Sequence, residues 1–217
     1  MLSGTDRSKH ILSRARMILG TADDTMVQSE QIFLIASEKQ REIAEEYNVI
    51  ESSMTLPIVS GTTNYDLTTS SGNPTGFNRL KLLAPPLTSR SIIYELDVNE
   101  MDFYQRYTRV STGLPIWYIK IFQGMLSFFP TPTATENWTV YFYKSPTTTI
   151  SKTVGPETPS AFDTALVFGA VAELAPSLGK PELAQLYLPM YEQEIEKGIG
   201  RYRGTRTEMK QITYRDI

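Results

Sequence analysis

Apolar side chains recur every three to four positions near both ends of the chain and closer to every second position in the middle. Residues 6–19 and 26–47 keep the three-to-four spacing that is typical of amphipathic helices. Residues 160–178 are apolar on nearly every side, which predicts a helix buried all round, and residues 182–199 return to helical spacing. The pattern therefore predicts two helices before the middle of the chain and two after it.

The middle of the chain carries strand patterns, of which the strongest lies in residues 112–146. Three runs rich in β-branched and aromatic residues are separated there by glycine and proline, which predicts a three-stranded antiparallel meander. Pro57, in an earlier strand, favours an edge position because proline cannot donate a ladder hydrogen bond. The meander consists of residues 116–122, 125–129 and 138–143, and a short helix is expected at residues 97–107.

This order of elements predicts an α+β fold, in which helices from both chain ends form a bundle with an inserted antiparallel β-sheet. Glycines at positions 198, 200 and 204 predict that the last helix ends near residue 199 and that a linker follows. The predicted divisions are residues 1–48 for the first helices, 49–158 for the β-rich insertion, 159–200 for the second pair of helices, and 201–217 for an extended basic C-terminal arm.

Residue types that enzymes and metal sites use are nearly absent. The 217 residues include no cysteine, and this absence excludes disulfides, thiolate metal ligands and thiol catalysis. His10 is the single histidine. The glutamate runs at residues 42–46 and 192–196 are interpreted as charged helix surfaces. We therefore expect a structural or interaction protein with no catalytic site, cofactor or metal. No run of about 18 apolar residues occurs, so no membrane partner is expected.

Charge is distributed unevenly along the chain. Residues 197–217 contain six basic and two acidic side chains, a net charge of +4, whereas the rest of the chain carries 15 basic and 22 acidic side chains, a net charge of −7. A basic terminus on an acidic body indicates a partner with negative charge, either nucleic acid or an acidic protein surface. A solvated, poorly ordered terminus is the alternative interpretation of the same charges.

An ordered series of short motifs over about residues 49–200 resembles one known family, the head-to-tail connector, or adaptor, proteins of tailed bacteriophages, including the tubular adaptor of short-tailed phages. Each motif alone is common, and their order carries the resemblance. The series includes Tyr65-Asp66-Leu67, Thr112-Gly113-Leu114-Pro115 before an aromatic strand, Pro130-Thr131-Pro132, a Tyr-Lys-x-Pro motif ending at Pro146, and Gly179-Lys180-Pro181-Glu182-Leu183-Ala184 at a helix junction.

The resemblance implies a structural virion protein at the head–tail junction, made in the host cytoplasm. It implies a ring, usually of twelve subunits, that docks on the portal protein and carries a tail nozzle or tail tube protein. Genomic DNA would pass through the lumen of the ring with only transient, non-specific contact. These expectations come from the family and not from composition or spacing.

Three sets of residues acquire expected roles from this resemblance. The basic terminus becomes a portal-docking arm, although contact with DNA phosphates is a rival interpretation of its charges. Aromatic residues of the meander become contacts to a neighbouring subunit or the tail, and one glutamate run contacts the lumen or a neighbour. The arm comprises Arg201, Tyr202, Arg203, Arg206, Met209, Lys210, Ile212, Tyr214 and Arg215; the aromatic contacts are Trp117, Phe128, Phe129 and Trp138; and the glutamates are Glu42, Glu45 and Glu46.

Two other functions fit parts of the sequence. A different head-completion or tail-completion protein of the virion would share the same physical features. A carbohydrate-binding or lytic module is suggested by the aromatic meander, but no pair of carboxylates suited to acid–base hydrolysis stands at the predicted strand ends.

Overall fold

The computed structural model describes residues 3–21, 27–68, 76–86, 93–97, 112–122 and 124–213. It divides into a helical unit, formed by Met1–Ile50 and Pro146–Ile217, and a β unit, formed by Glu51–Ser145. The predicted α+β class is confirmed, since the described residues contain four α-helices and several mostly antiparallel sheets. The predicted short helix lies outside the described residues from position 98 onward.

Both ends of the chain supply the helices of the helical unit. Ser3 begins the first helix, because its side-chain oxygen accepts a hydrogen bond from the Asp6 backbone N–H at 3.2 Å. Gly20 and Gly179 lie in the left-handed region, at φ values of 67° and 70°, and end helical segments. The helices are α1 (Gly4–Leu19), α2 (Ser29–Tyr47), α3 (Asp163–Leu174) and α4 (Pro181–Thr213), and 3₁₀ turns at Ser160–Phe162 and Ala175–Leu178 flank α3.

The centre of the helical unit is α3, in which nine of twelve residues are buried. Ser160–Leu178 is long and apolar enough to cross a membrane by length and composition alone. In the structure this stretch packs against α1, α2 and α4, so its apolar side chains are covered by protein. This agrees with the predicted helix that is buried all round.

A buried ion pair joins α1 to the start of α3. The Arg7 guanidinium donates to both carboxylate oxygens of Asp163, with Nε–O distances of 2.9 and 3.1 Å. It also donates to the carbonyls of Pro156 and Thr158 at 3.0 and 2.7 Å. One side chain therefore ties α1 to α3 and to the connection between residues 146 and 159 through charge-assisted hydrogen bonds.

The β unit contains two larger sheets and one small one. The first sheet has the order β1-β9-β3 and is antiparallel, and the second has the order β2-β7-β6-β4, in which β4 runs parallel to β6. The strands are β1 (Glu51–Ile58), β2 (Asn64–Asp66), β3 (Phe77–Ala84), β4 (Tyr94–Glu95), β5 (Thr112–Gly113), β6 (Trp117–Phe122), β7 (Met125–Phe129), β8 (Thr131–Pro132) and β9 (Glu136–Lys144), with β5 and β8 forming the small sheet.

The predicted meander is wrong in one of its two pairings. β6 and β7 pair antiparallel as expected, but β9 leaves them and lies between β1 and β3. Pro130 and Pro132 lack the N–H that would continue the ladder beyond β7, and the long alternating strand β9 instead finds a partner on each side. Pro57 lies in the edge strand β1, as predicted.

The last helix is longer than predicted. α4 continues through Gly198 and Gly200 to Thr213, so the prediction of a helix end near residue 199 followed by a linker is wrong. Gly198 is a packing residue, because a Cβ there would lie 2.7 and 2.8 Å from ring atoms of Phe162. A glycine weakens a helix by about 1 kcal/mol but does not end it. The segment expected to be an extended arm is therefore helical as far as Thr213.

The two neighbouring glycines of α4 give a matched test of this packing. Gly198→Ala should lower the free energy of unfolding by about 1–3 kcal/mol, because the new methyl group would overlap Phe162. Gly200→Ala meets nothing within 4 Å and should raise stability by about 0.5–1 kcal/mol. Denaturant unfolding followed by circular dichroism measures both changes. Shifts of the same sign in the two variants would contradict the packing role of Gly198.

Candidate interaction surfaces

Metal-ligating side chains do not cluster in the described part of the chain. No group of three or more histidine, cysteine, aspartate or glutamate side chains in this part of the chain could hold a metal ion. His10 is exposed on α1. The surfaces that remain are suited to contacts with other macromolecules.

Two of the four aromatic residues predicted as contacts belong to the core of the β unit. Phe128 and Trp138 are each 1% exposed, and their rings meet edge to face with centroids 5.3 Å apart. Tyr65 packs on Phe128 in the same way, at 5.3 Å. The prediction that a neighbouring subunit buries Phe128 or Trp138 is therefore corrected, because the chain's own strands already cover both side chains.

Trp117 and Phe129 keep part of their surface exposed. They are register partners on β6 and β7, and their rings stack with centroids 6.0 Å apart and planes inclined by 24°. Both side chains are half-buried. Stacked aromatic side chains present a rigid apolar surface that suits a protein contact.

A groove lies between α2, α3 and α4 in the helical unit, with a volume of about 330 Å³. Its lining includes the small residues Gly169, Ala172 and Ala184, and Leu188 stands beside it with 53% of its surface exposed. A Cβ at Gly169 would lie 3.0 to 3.2 Å from Lys39 and Tyr191 side-chain atoms, so glycine allows the three helices to approach closely. The groove is thus a largely apolar depression in a close-packed helix surface.

Lys39 lies along one side of this groove, and two carboxylates lie close to its positive charge. Its ammonium group lies 3.0 Å from a carboxylate oxygen of Glu42 and 3.4 Å from one of Glu173, and it also lies over the ring of Tyr191, 5.6 Å from the centroid. Burial alone would lower the pKa of Lys39, but attraction and hydrogen bonding to the two glutamates raise it. Lys39 stays charged, and with two carboxylates around one cation this edge is net negative.

The predicted glutamate run forms the acidic continuation of the same surface. Glu42, Glu45 and Glu46 are exposed on the last turns of α2. Burial, together with the nearby carboxylates of Glu46, Glu42 and Glu196, raises the pKa of Tyr47. The end of α2 and the middle of α4 therefore bring their negative charges close together.

The buried phenol of Tyr191 lies at the junction of groove and acidic end. Tyr191 is 4% exposed, and its hydroxyl makes no hydrogen bond within the described residues. Burial raises the pKa of Tyr191, and the carboxylate of Glu42 raises it further. The hydroxyl is thus protonated and, with no hydrogen-bond partner in the described residues, does not stabilise the helical unit.

The structure exposes the apolar side chains of Leu186 and Met190 on α4 by 56% and 39%. The buried positions of this helix include Tyr191 and Ile195. A count along the helix from Tyr191 through Gly198 to Tyr202 finds this core face, and it leaves Leu186 and Met190 outside it. The groove was missed because its residues come from three separate helices.

Some of the residues predicted to form the arm have described side chains on α4, and others do not. Arg201 and Arg203 are exposed on α4, and Tyr202 between them packs in part on the helical core. Tyr214 and Arg215 lie outside the described residues. The helical backbone up to Thr213 carries Arg206, Met209, Lys210 and Ile212.

A family model described as SU10 adaptor protein matches residues 10–213 of this chain, which covers both units. The chain belongs to the SU10 adaptor protein family. No match is found among curated proteins. The resemblance to phage head-to-tail adaptors is confirmed, and the adaptor is a structural phage protein and a virion component.

A comparison of two buried tyrosines of the adaptor tests whether the Tyr191 hydroxyl lacks a hydrogen-bond partner. Tyr191→Phe should leave the free energy of unfolding unchanged or slightly higher, because the lost hydroxyl has no hydrogen-bond partner within the described residues. Tyr65→Phe should lower it by about 0.5–1.5 kcal/mol, because the Tyr65 hydroxyl accepts from the Val59 N–H at 2.8 Å and donates to its carbonyl at 3.1 Å. Chemical denaturation measures both, and an equal loss in the two variants would contradict the assignment.

Proposed function

We propose that this adaptor forms a ring that docks on the portal and joins it to the tail, with genomic DNA passing through its lumen. The family match supports an adaptor role in the virion. The single observation that carries the docking mode is the shape of α4, which continues beyond the bundle as a basic helix.

Helix lengths support this extension. α4 has 33 residues, which is about 50 Å of helix at 1.5 Å per residue. α3, against which it packs, has 12 residues, or about 18 Å. The 3₁₀ turn before α3 already meets α4 at Gly198, and Tyr202 is the last described side chain of α4 that packs on the core. The ten residues from 204 to 213 add about 15 Å of helix beyond this point.

The composition of this extension suits an acidic, grooved partner surface. Residues 201–217 carry five basic and two acidic side chains, interspersed with aromatic and aliphatic residues. A helix laid into a groove uses apolar anchors for affinity and charges for orientation and rate of encounter. We assign the apolar anchors to Met209, Ile212 and Tyr214, since Tyr202 already packs in part on the helical core, and the charged contacts to Arg201, Arg203, Arg206, Lys210 and Arg215.

The portal is favoured over DNA as the partner of this extension. Phosphate contacts would be equally salt-sensitive, but DNA in transit has to slide, and a strong grip would oppose its movement. The overall negative charge of the remaining chain is consistent with a lumen that does not hold DNA. The partly exposed pair of Trp117 and Phe129 is proposed as a contact to the tail nozzle or tail tube protein.

Shortening the chain tests the docking helix. A variant that ends after Arg203 retains Tyr202, the last described core contact of α4, and should unfold at nearly the same temperature as the full chain. Its affinity for purified portal rings should fall by about tenfold or more, since every basic residue beyond Arg203 is removed. Sedimentation with portal rings measures the binding.

Two further measurements make this experiment decisive. The full chain should lose portal affinity as salt concentration rises, and the shortened chain should lose less. A full-length variant with Arg206→Gln and Lys210→Gln separates the loss of charge from the loss of helix. Undiminished docking of the shortened chain would refute the role of the extension, and loss of DNA binding alone would favour the phosphate interpretation.

A further inference from the structure

We propose that, within the ring, one flank of α4 in each subunit docks into the groove between α2, α3 and α4 of the next subunit. The exposed side chains Leu186 and Met190 form the inserting flank, and Leu188 and Tyr191 belong to the receiving groove. The occupant of the groove is thus a second copy of this chain. The inference rests on the proposed ring and adds the surface by which its subunits meet.

Opposite flanks of one helix carry these two surfaces. At about 100° per residue, Leu188 lies about 160–200° around α4 from Leu186 and Met190. Their exposed fractions are 53%, 56% and 39%, which is high for large apolar side chains grouped on one helix. The core face of α4, with Tyr191, lies between the two flanks. Each subunit therefore offers one inserting flank and one receiving flank.

The receiving flank has the form that the inserting flank requires. Gly169, Ala172 and Ala184 leave a depression of about 330 Å³ between the helices. Aliphatic side chains such as Leu186 and Met190 fill such a depression and remove apolar surface of both subunits from water. Pro189 has no N–H, so it cannot donate the helical hydrogen bond to the carbonyl of Gln185, which belongs to the groove lining.

On both flanks, the charged residues lie beyond the apolar ones, basic on the inserting flank and acidic on the receiving flank. On the inserting flank, Lys197 comes seven residues after Met190 and Arg201 four residues later, and both are exposed. Lys197 also bonds within its own chain to Glu194, at 2.7 Å. On the receiving flank, Glu42 and Glu46 lie in the exposed acidic end of α2, beyond the groove.

A ring brings these surfaces together in register. Rotation about an axis parallel to α4 carries every residue to the same level in the next subunit. Leu186 and Met190 then face the groove, and the basic residues farther along α4 face the acidic end of α2. A two-fold contact would instead pair like flanks and leave the groove of each copy empty. Matching of unlike flanks is the property of a heterologous contact, which gives a ring when the rotation between neighbouring subunits closes.

The absence of cysteine from the chain allows a direct test by cross-linking single-cysteine variants. Leu186→Cys and Leu188→Cys proteins are mixed, assembled into virions or onto portal rings, and treated with a short bismaleimide. We expect dimers that join position 186 of one chain to position 188 of the other, and loss of the product when either variant is assembled alone. Leu188→Cys mixed with Lys152→Cys, exposed elsewhere on the helical unit, is the matched control.

The outcomes separate this contact from the ring itself. A lysine-reactive cross-linker applied to the unmodified assembly should give a ladder that ends at a closed oligomer. A complete ladder without the 186–188 product, or with 186–186 and 188–188 dimers, would overturn the proposed contact and leave the ring intact. A missing ladder would overturn both.

A second pair of variants tests the inserting flank without cysteine. Leu186→Glu should reduce incorporation into portal-bound assemblies by about tenfold or more, because a charge would enter the apolar groove. Leu34→Glu replaces a leucine of equal exposure, 55% against 56%, on the outer face of α2 and should incorporate normally. Unfolding temperatures of both variants should match that of the unmodified chain. Equal incorporation of the two well-folded variants would contradict the proposal.

Discussion

The helical unit depends on the enclosure of α3. A helix with nine of twelve residues buried requires protein on every side, and only α1, α2 and α4 together provide it. These partners come from opposite ends of the chain, so the fold has to bring residues 3–50 and 146–213 together. Arg7 supports this closure, because its guanidinium ties α1 to Asp163 and to the connection before α3. The same enclosure positions α2 and α4 as neighbours and creates the groove between them.

Local chemistry explains which parts of the fold were predictable. The helices were recognised because their apolar spacing is a property of neighbouring residues, and Gly20 and Gly179 end segments at left-handed positions that favour glycine. Strand pairing is a property of distant residues. β9 pairs with β1 on one side and β3 on the other, and both lie more than fifty residues earlier in the chain. No pattern within residues 112–146 carries that information.

The candidate surfaces were likewise predictable where they depend on local sequence, and not where they depend on residues distant in the chain. The excess of basic residues after position 197 and the glutamates of α2 are visible in the sequence, and the structure adds Glu196 of α4 near Tyr47 at the end of α2. The family resemblance could not identify Phe128 and Trp138 as core residues, because burial by β-strands from elsewhere in the chain decides their exposure. The groove was invisible for a related reason, since Lys39, Gly169 and Leu188 become neighbours only when three helices pack.

The glycines of α4 affect how firmly a single subunit can attach to a partner. Gly200 and Gly204 each weaken the helix by about 1 kcal/mol relative to alanine, so part of any contact energy made beyond them is used to hold the helix together. Each docking helix in the proposed assembly is then attached to its partner weakly and reversibly, and a misplaced subunit dissociates. Attachment strengthens steeply as further subunits join, because each linked contact raises the effective concentration of the next. The glycine-containing segment of α4 thus keeps each single attachment weak, and attachment becomes stable only when the ring is complete.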